Sequence, residues 1–292
     1  MSDSLLTVHG LKKSFRRLFA RPVDALKGVN FEIPPGTVTG FLGANGAGKT
    51  TAIKCLLGLA IPDEGEIRFF GQNELTPEVK SRIGFLPERP YFYEYLTGRE
   101  FLRFYGQLSC KFTAADLRQR IEMLLERVGL KHAADRPLRG YSKGMLQRIG
   151  IAQALVHDPD FIILDEPMTG LDPDGRYEVS EIIRATAKSG TAVFFSSHLL
   201  PDAERLCDRL VILKKGELVY QGSTADFLGK TAGGYQLVTS RGGVLQTEIC
   251  SSLDELNRRI DAKRAEKETI VEVRANRLTL EEAFVRIGLE KA

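Results

Sequence analysis

The chain has 292 residues, 43% of them hydrophobic and 27% charged. That is an ordinary globular composition, long enough for one large domain or two smaller ones, each with its own core. With 41 basic residues against 38 acidic ones the net charge is only +3, and a nucleic-acid binder would carry a basic excess or stripe.

The short basic stretches Lys12-Lys13 and Arg16-Arg17 read as solvated surface, with an anionic partner as the alternative. Cys55, Cys110, Cys207 and Cys250 lack metal-ligand or redox spacing, so free or buried thiols are expected. The start, Met1-Ser2-Asp3-Ser4, has no basic and apolar signal pattern, and no apolar run approaches the roughly 18 residues needed to cross a bilayer. The expectation is a cytoplasmic protein that reaches a membrane only through a partner.

In chain order, Leu5–Val8, Val29–Ile33, Thr37–Leu42 and Glu66–Phe69 are short apolar runs punctuated by Gly and Pro, and read as strands. Pro34-Pro35-Gly36 marks a turn. Residues from about Pro87 to Arg139 read as helical. Thr97-Gly-Arg-Glu100 is a capping-box pattern before Phe101–Leu108, and Thr113 precedes a stretch where Leu117, Ile121, Leu124 and Val128 recur at helical spacing. Phe161–Leu164 and Thr191–Phe195 are continuous apolar runs, as in strands buried on both faces of a parallel sheet, with a helix over Gly175–Lys188 between them. After about Ser223, Tyr235–Thr239, Val244–Ile249 and Ile270–Val273 read as strands. Ser252-Leu-Asp-Glu255 and Thr279-Leu-Glu-Glu282 read as capping boxes. This last region is a small α+β appendage without visible chemistry.

Gly43-Ala44-Asn45-Gly46-Ala47-Gly48-Lys49-Thr50 fits the phosphate-binding pattern GxxxxGK[ST], between the strand Thr37–Leu42 and a helical stretch over Thr51–Leu59. The glycines let successive backbone N–H groups curl around an anion. The following helix offers its positive end. Lys49 is placed to reach the β- and γ-phosphates, and Thr50 to ligate Mg²⁺. The strand Phe161–Leu164 ends in Asp165-Glu166-Pro167, where a Mg²⁺-holding carboxylate belongs, beside the phosphate loop. Asp165 takes that role. Glu166, pointing the other way by strand alternation, becomes the general base for the attacking water.

With these motifs in place the chain resembles the ATP-binding cassette (ABC) family, the nucleotide-binding subunits of ABC transporters, from about Leu6 to Gly222. Tyr141-Ser142-Lys143-Gly144-Met145 is similar to the family's LSGGQ signature. It departs at three positions but keeps Ser142 and Gly144, which open a helix over Met145–Val156 and so suit a γ-phosphate. Gly170-Leu171-Asp172 resembles the D-loop. His198 matches the switch histidine that contacts the γ-phosphate. Phe15 is the candidate to stack on adenine, with Phe19 in the inserted stretch Arg16–Val23 as the alternative. Ile83-Gly-Phe-Leu-Pro87-Glu88 matches the Q-loop with Glu88 in place of Gln; a carboxylate only accepts hydrogen bonds, yet suits Mg²⁺ or water directly.

The resemblance implies an α/β fold: a P-loop NTPase core with a parallel sheet, an N-terminal antiparallel β-subdomain, a helical subdomain over about 88–142, and the α+β appendage. The domains are then 1–224 and 225–292. It implies an ATPase that uses ATP and Mg²⁺, with Glu166, His198 and Lys49 catalytic. Phe15, Gly43, Asn45, Gly46, Ala47, Gly48, Lys49, Thr50, Thr51, Ser142 and Gly144 hold nucleotide, and Thr50, Glu88 and Asp165 hold the metal. Its partners are a second cassette in head-to-tail arrangement, an identical copy with a different cassette chain as the alternative, and a separate integral-membrane permease at the cytoplasmic face of the cell membrane. No nucleic acid is expected. The appendage and Glu88 resemble exporter cassettes. Aromatics crowd after Glu88, and some of them suit a groove for a permease helix.

Overall fold

The computed structural model describes residues 4–15, 22–109, 111–231, 234–275 and 279–286. Arg16, Arg17, Phe19 and Cys110 lie outside these. Two compact units divide the chain at residues 222 and 223.

In the first unit, β1 (Leu6–Phe15) pairs antiparallel with both β2 (Val23–Ile33) and β4 (Glu64–Phe69). The first two strands run longer than the apolar runs suggest. Bulges at Val8/Leu11 and Lys13/Ser14 shift the register and break the period-2 pattern that sequence reading depends on. Lys12 and Lys13 are not free surface charges, since they pair with Glu64 and Asp63 at 2.6 and 2.7 Å. Lys13, together with the Ser14 amide and hydroxyl, pulls the Asp63 carboxyl down to about 2.

A second, six-stranded sheet has the order β5-β6-β7-β3-β8-β9. Its strands are β3 (Val38–Leu42), β5 (Ile83–Leu86), β6 (Phe161–Leu164), β7 (Ala192–Ser197), β8 (Arg209–Lys214) and β9 (Glu217–Ser223). The five from β5 to β8 pair in parallel. β3, β6 and β7 are buried at every residue, as expected for strands covered on both faces. Phe31 of the antiparallel sheet stacks on Phe194 at 5.9 Å and lies 5.6 Å from Phe41. Phe69 meets Phe161 at 6.1 Å. One apolar core thus joins both sheets and α1 (Lys49–Leu56).

The helical segment contains α3 (Gly98–Leu108), closed by the Thr97/Glu100 capping box, and α4 (Ala114–Arg127), capped by Thr113. α5 (Lys143–Leu155), α6 (Pro173–Lys188) and α7 (Leu200–Leu206) return the chain to the parallel sheet. Sequence reading missed α7 and the one-turn helix α2 (Pro77–Lys80), both too short to show a period. Phe101 is buried and packs on Phe92 and Tyr105, whereas Tyr91, Tyr95 and Phe104 are exposed.

The second unit has α8 (Thr224–Thr231), an antiparallel sheet of β10 (Tyr235–Arg241), β11 (Val244–Cys250) and β12 (Thr269–Ala275) in the order β11-β10-β12, α9 (Leu253–Ala265) and α10 (Leu280–Arg286). Leu237, Cys250 and Leu256 form its small core, with Tyr235, Ile260 and Ile270 against it. Glu268 is buried, accepting from Thr239 Oγ1 at 2.9 Å and paired with Lys263 at 3.3 Å; Lys263 also holds Glu248 at 2.9 Å. Cys55, Cys207 and Cys250 are buried and in no disulfide, and among the described residues no helix is long and apolar enough to cross a membrane.

Candidate nucleotide-binding site

Parallel strands deliver their C-terminal ends to one edge of the sheet. There β3 runs into the loop 43–48, β6 into Asp165-Glu166, β7 into His198 and β5 toward Glu88. The loop is tightly wrapped. A Cβ on Gly48, at φ 108°, would meet the Ala25 carbonyl oxygen at 2.5 Å, and one on Gly43 the Leu213 carbonyl oxygen at 2.5 Å. Only glycine lets the chain pass so close at these two points. Gly46, at φ 81°, faces open space. α1 then starts at Lys49 with no side-chain cap, so its first N–H groups remain available to an acceptor.

Lys49 is 6% exposed and Glu166 8%, and they lie 3.3 Å apart. Lys49 Nζ also donates to the Gly43 carbonyl at 2.6 Å. The other Glu166 oxygen accepts from Thr169 Oγ1 at 2.9 Å and lies 2.8 Å from His198 Nδ1. Strand alternation alone would send Asp165 and Glu166 to opposite faces. Instead β6 ends at Leu164 and Glu166 takes a left-handed turn at φ 51°, which brings both carboxylates to the phosphate loop, Glu166 to Lys49 and Asp165 to the Thr50 hydroxyl. A left-handed non-glycine residue costs about 1–3 kcal/mol and persists where its surroundings hold it.

What holds it is Ser196. Its hydroxyl accepts from the Glu166 amide at 2.8 Å and donates to Asp165 Oδ1 at 2.6 Å. Asp165 is buried, and desolvation holds its carboxyl above the ordinary aspartate range. The Ser196 and Thr50 hydrogen bonds oppose that shift, while the charges of Glu166 and Glu88 add to it. Buried Asp165 beside the Thr50 hydroxyl, within reach of the charges of Glu166 and of the exposed Glu88, offers hard oxygen donors. A divalent cation would relieve their repulsion, so Thr50, Asp165 and Glu88 suit Mg²⁺.

Ala44, Asn45, Gly46, Gly48, Lys49, Thr50, Thr51, Glu88, Glu166 and His198 line a cavity of about 650 Å³. Val23, Asp24, Ala25, Lys27, Thr169 and Lys215 complete it. Gly43 and Ala47 lie behind this surface, in the loop's support. Phe15 stands at the end of β1, 45% exposed and paired in register with Val23 on the cavity rim. Ser142 and Gly144 stand apart from the cavity. Ser142 caps α5, its hydroxyl accepting from the Met145 amide at 3.3 Å, so that helix opens two residues earlier than its sequence suggests. Asp172 caps α6 in the same way.

The family model described as ABC transporter matches residues 26–169. An uncharacterised ABC transporter ATP-binding protein of Nostoc sp. is 47% identical over 232 residues, which span 78% of this chain and 69% of that protein. The chain belongs to the ABC transporter ATP-binding family. This ABC ATPase is also 34% identical over 229 residues to the Nod factor export ATP-binding protein I of Ralstonia nicotianae, spanning 78% of this chain and 70% of that one. A solved ATP-binding subunit of an ABC transporter superposes with a TM-score of 0.67 at 31% identity, spanning 78% of this chain and 93% of that one. The α/β fold with its parallel sheet and N-terminal antiparallel strands is therefore that of an ABC cassette.

Sequence reading missed Ser196, Thr169 and the 215–216 turn. Gly216 N donates to the Ala47 carbonyl at 3.0 Å and buttresses the loop from 169 residues away. Ser196 leaves one signal, the polar pair Ser196-Ser197 that ends an otherwise apolar strand just before His198.

Proposed function

We propose that this ABC ATPase subunit binds Mg-ATP between two copies packed head to tail and powers a separate membrane permease, in the export direction. The observation that carries this reading is the separation of two half-sites within one chain: Lys49, Thr50, Glu166 and His198 around one cavity, with Asp165 held to Thr50, and Ser142 with Gly144 outside that lining at the start of α5. A phosphate held by both needs a second chain.

Lys49 leaves the Gly43 carbonyl and Glu166 to take the β- and γ-phosphates, which compete for the same ammonium. The loop's N–H groups and the start of α1 hold the phosphate oxygens, and the adenine stacks beside Phe15. Thr50, Asp165 and Glu88 hold Mg²⁺, which when bound neutralises charge on the phosphates. Glu166, released from Lys49, takes a proton from water as its oxygen attacks the γ-phosphorus. The bridging P–O bond breaks and ADP leaves. His198 contacts the γ-phosphate and orients Glu166. ATP thus joins the subunits, and phosphate loss parts them.

The exposed Tyr91, Tyr95 and Phe104 fit a permease helix, since aromatics dominate the centres of interfaces, and that contact anchors the subunit to the membrane. The export direction rests on the likeness to the Nod factor export protein and on Glu88. Residues 1–224 form the cassette and 225–292 an accessory domain.

Size-exclusion chromatography of Glu166→Gln tests this. A monomer without nucleotide that becomes a dimer with Mg-ATP is expected. A monomer under both conditions, with ATP shown to be bound, overturns the shared site.

A further inference from the structure

A second cavity, of about 230 Å³, opens between α6 and α7, on elements that begin just after Asp172 and His198. Arg176, Tyr177 and Arg184 of α6 and Asp202 and Arg205 of α7 line it. Three guanidinium groups face one carboxylate. Counting Glu181, which takes Arg184 Nη1 at 2.6 Å, positive charge still exceeds negative by one.

Two of the three arginines, Arg176 and Arg205, are poorly served by the protein. Arg176 reaches Asp202 only at 3.6 Å, longer than the 2.7–2.9 Å of a charge-assisted hydrogen bond. Its Nε and Asp202 Oδ2 are both buried without a hydrogen-bond partner. The guanidinium of Arg205 is exposed and makes no hydrogen bond or ion pair among the described residues. Arg184 donates to the Arg205 carbonyl at 2.6 Å, which ties the two helices together and leaves their cationic ends on the same opening. A buried polar atom without a partner costs about 1–3 kcal/mol, and planar guanidinium forks match the oxygens of a phosphate group.

We propose that this cavity binds a small phosphate-class dianion, free or as the monoester of a small alcohol, through Arg176, Arg184 and Arg205. Its volume is about a third of that of the 650 Å³ nucleotide cavity, so a second nucleotide does not fit. The two cavities share no lining residue, and the site does not depend on the catalytic roles proposed above.

The test uses the full chain saturated with Mg²⁺ and a non-hydrolysable ATP analogue, so that the phosphate loop is filled. Inorganic phosphate or glycerol phosphate replaces chloride at constant ionic strength, and the thermal midpoint is followed. A rise of about 2–5 °C at a concentration some tenfold above the dissociation constant is expected from either anion. Arg205→Ala, at an exposed position whose backbone contact to Arg184 it preserves, is expected to weaken the apparent affinity about tenfold, and Arg176→Ala likewise. No rise with either anion, or an equal rise in wild type and both variants, overturns the site.

Discussion

Each unit of this molecule buries a cluster of charges, and the two clusters are settled in opposite ways. In the second unit, Glu268 has Thr239 and Lys263 against it, which hold its carboxyl below the usual range, while Glu248 and Glu268 hold the Lys263 ammonium above its own. Glu268 and Lys263 both favour their charged forms, so the cluster is structural. In the first unit, Asp165 is pushed up by burial and by the neighbouring Glu166 and Glu88. Glu166 holds a left-handed backbone, and Lys49 satisfies itself on a loop carbonyl. That cluster is over-supplied with negative charge at one point and holds its cation in a contact that phosphate can displace. Burial alone does not separate the two; the direction of the carboxyl shift does.

The sharpest way to break this contrast is Lys49→Ala. Removing a charge-assisted phosphate contact worth about 1.5–3 kcal/mol weakens ATP binding roughly 10- to 100-fold, read by equilibrium binding of a fluorescent analogue. Lys263→Ala in the structural cluster leaves that affinity unchanged. Equal loss in the two variants would mean that Lys49 acts through stability, and the contrast would fail.

Ser196→Ala comes next. It strips a donor from Asp165 and an acceptor from the Glu166 amide, so both the turn and the metal-holding carboxylate lose their fix. A drop of about tenfold in kcat with ATP affinity within twofold is expected, along with a loss of about 1–3 kcal/mol in stability by denaturant unfolding. Unchanged kcat would remove Ser196 as a positioning residue.

Ser196 also shows where sequence reading stops. Lys49, Thr50, Asp165 and Glu166 were legible because each sits in a motif local in the chain, next to the element that aims it. The parallel sheet was legible because strands buried on both faces need unbroken apolar runs, as in Phe161–Leu164. Thr169 sits three residues from Glu166 but matches no motif, whereas the contacts that Ser196 and Gly216 make are not local. They arise when β7 lies beside β6 and the turn after β8 reaches the loop, and nothing in the spacing of a serine or a glycine states that. The turn at Glu166 was hidden for a related reason, since strand alternation stops holding where the strand stops. The cluster around Glu268 left no trace, because its members come from β10, α9 and the residue before β12 and match no motif.

The smallest effects are the most telling, because the two clusters should respond with opposite sign. Asp165 binds a proton more readily in the folded chain than in the unfolded one. Its ionisation therefore opposes folding, with an effect that sets in as pH rises past the ordinary aspartate range and is complete above its folded value. Asp165→Asn removes that effect. It is expected to stabilise the nucleotide-free protein by about 0.5–2 kcal/mol while abolishing Mg²⁺-dependent hydrolysis, the trade seen when a strained functional group is neutralised. Glu268 has its carboxyl lowered, so it contributes stability that is present above the ordinary carboxylate range and is lost as pH falls through its folded value. Glu268→Gln is expected to destabilise, with faster amide exchange in β10 and β12 near neutral pH and little further change on acidification. In the wild type the same amides exchange faster, relative to the intrinsic rate, as pH falls from about 7 to about 3. If Asp165→Asn lowers the unfolding midpoint as Glu268→Gln does, the raised carboxyl does not mark a site built for a cation, and the two clusters are both structural.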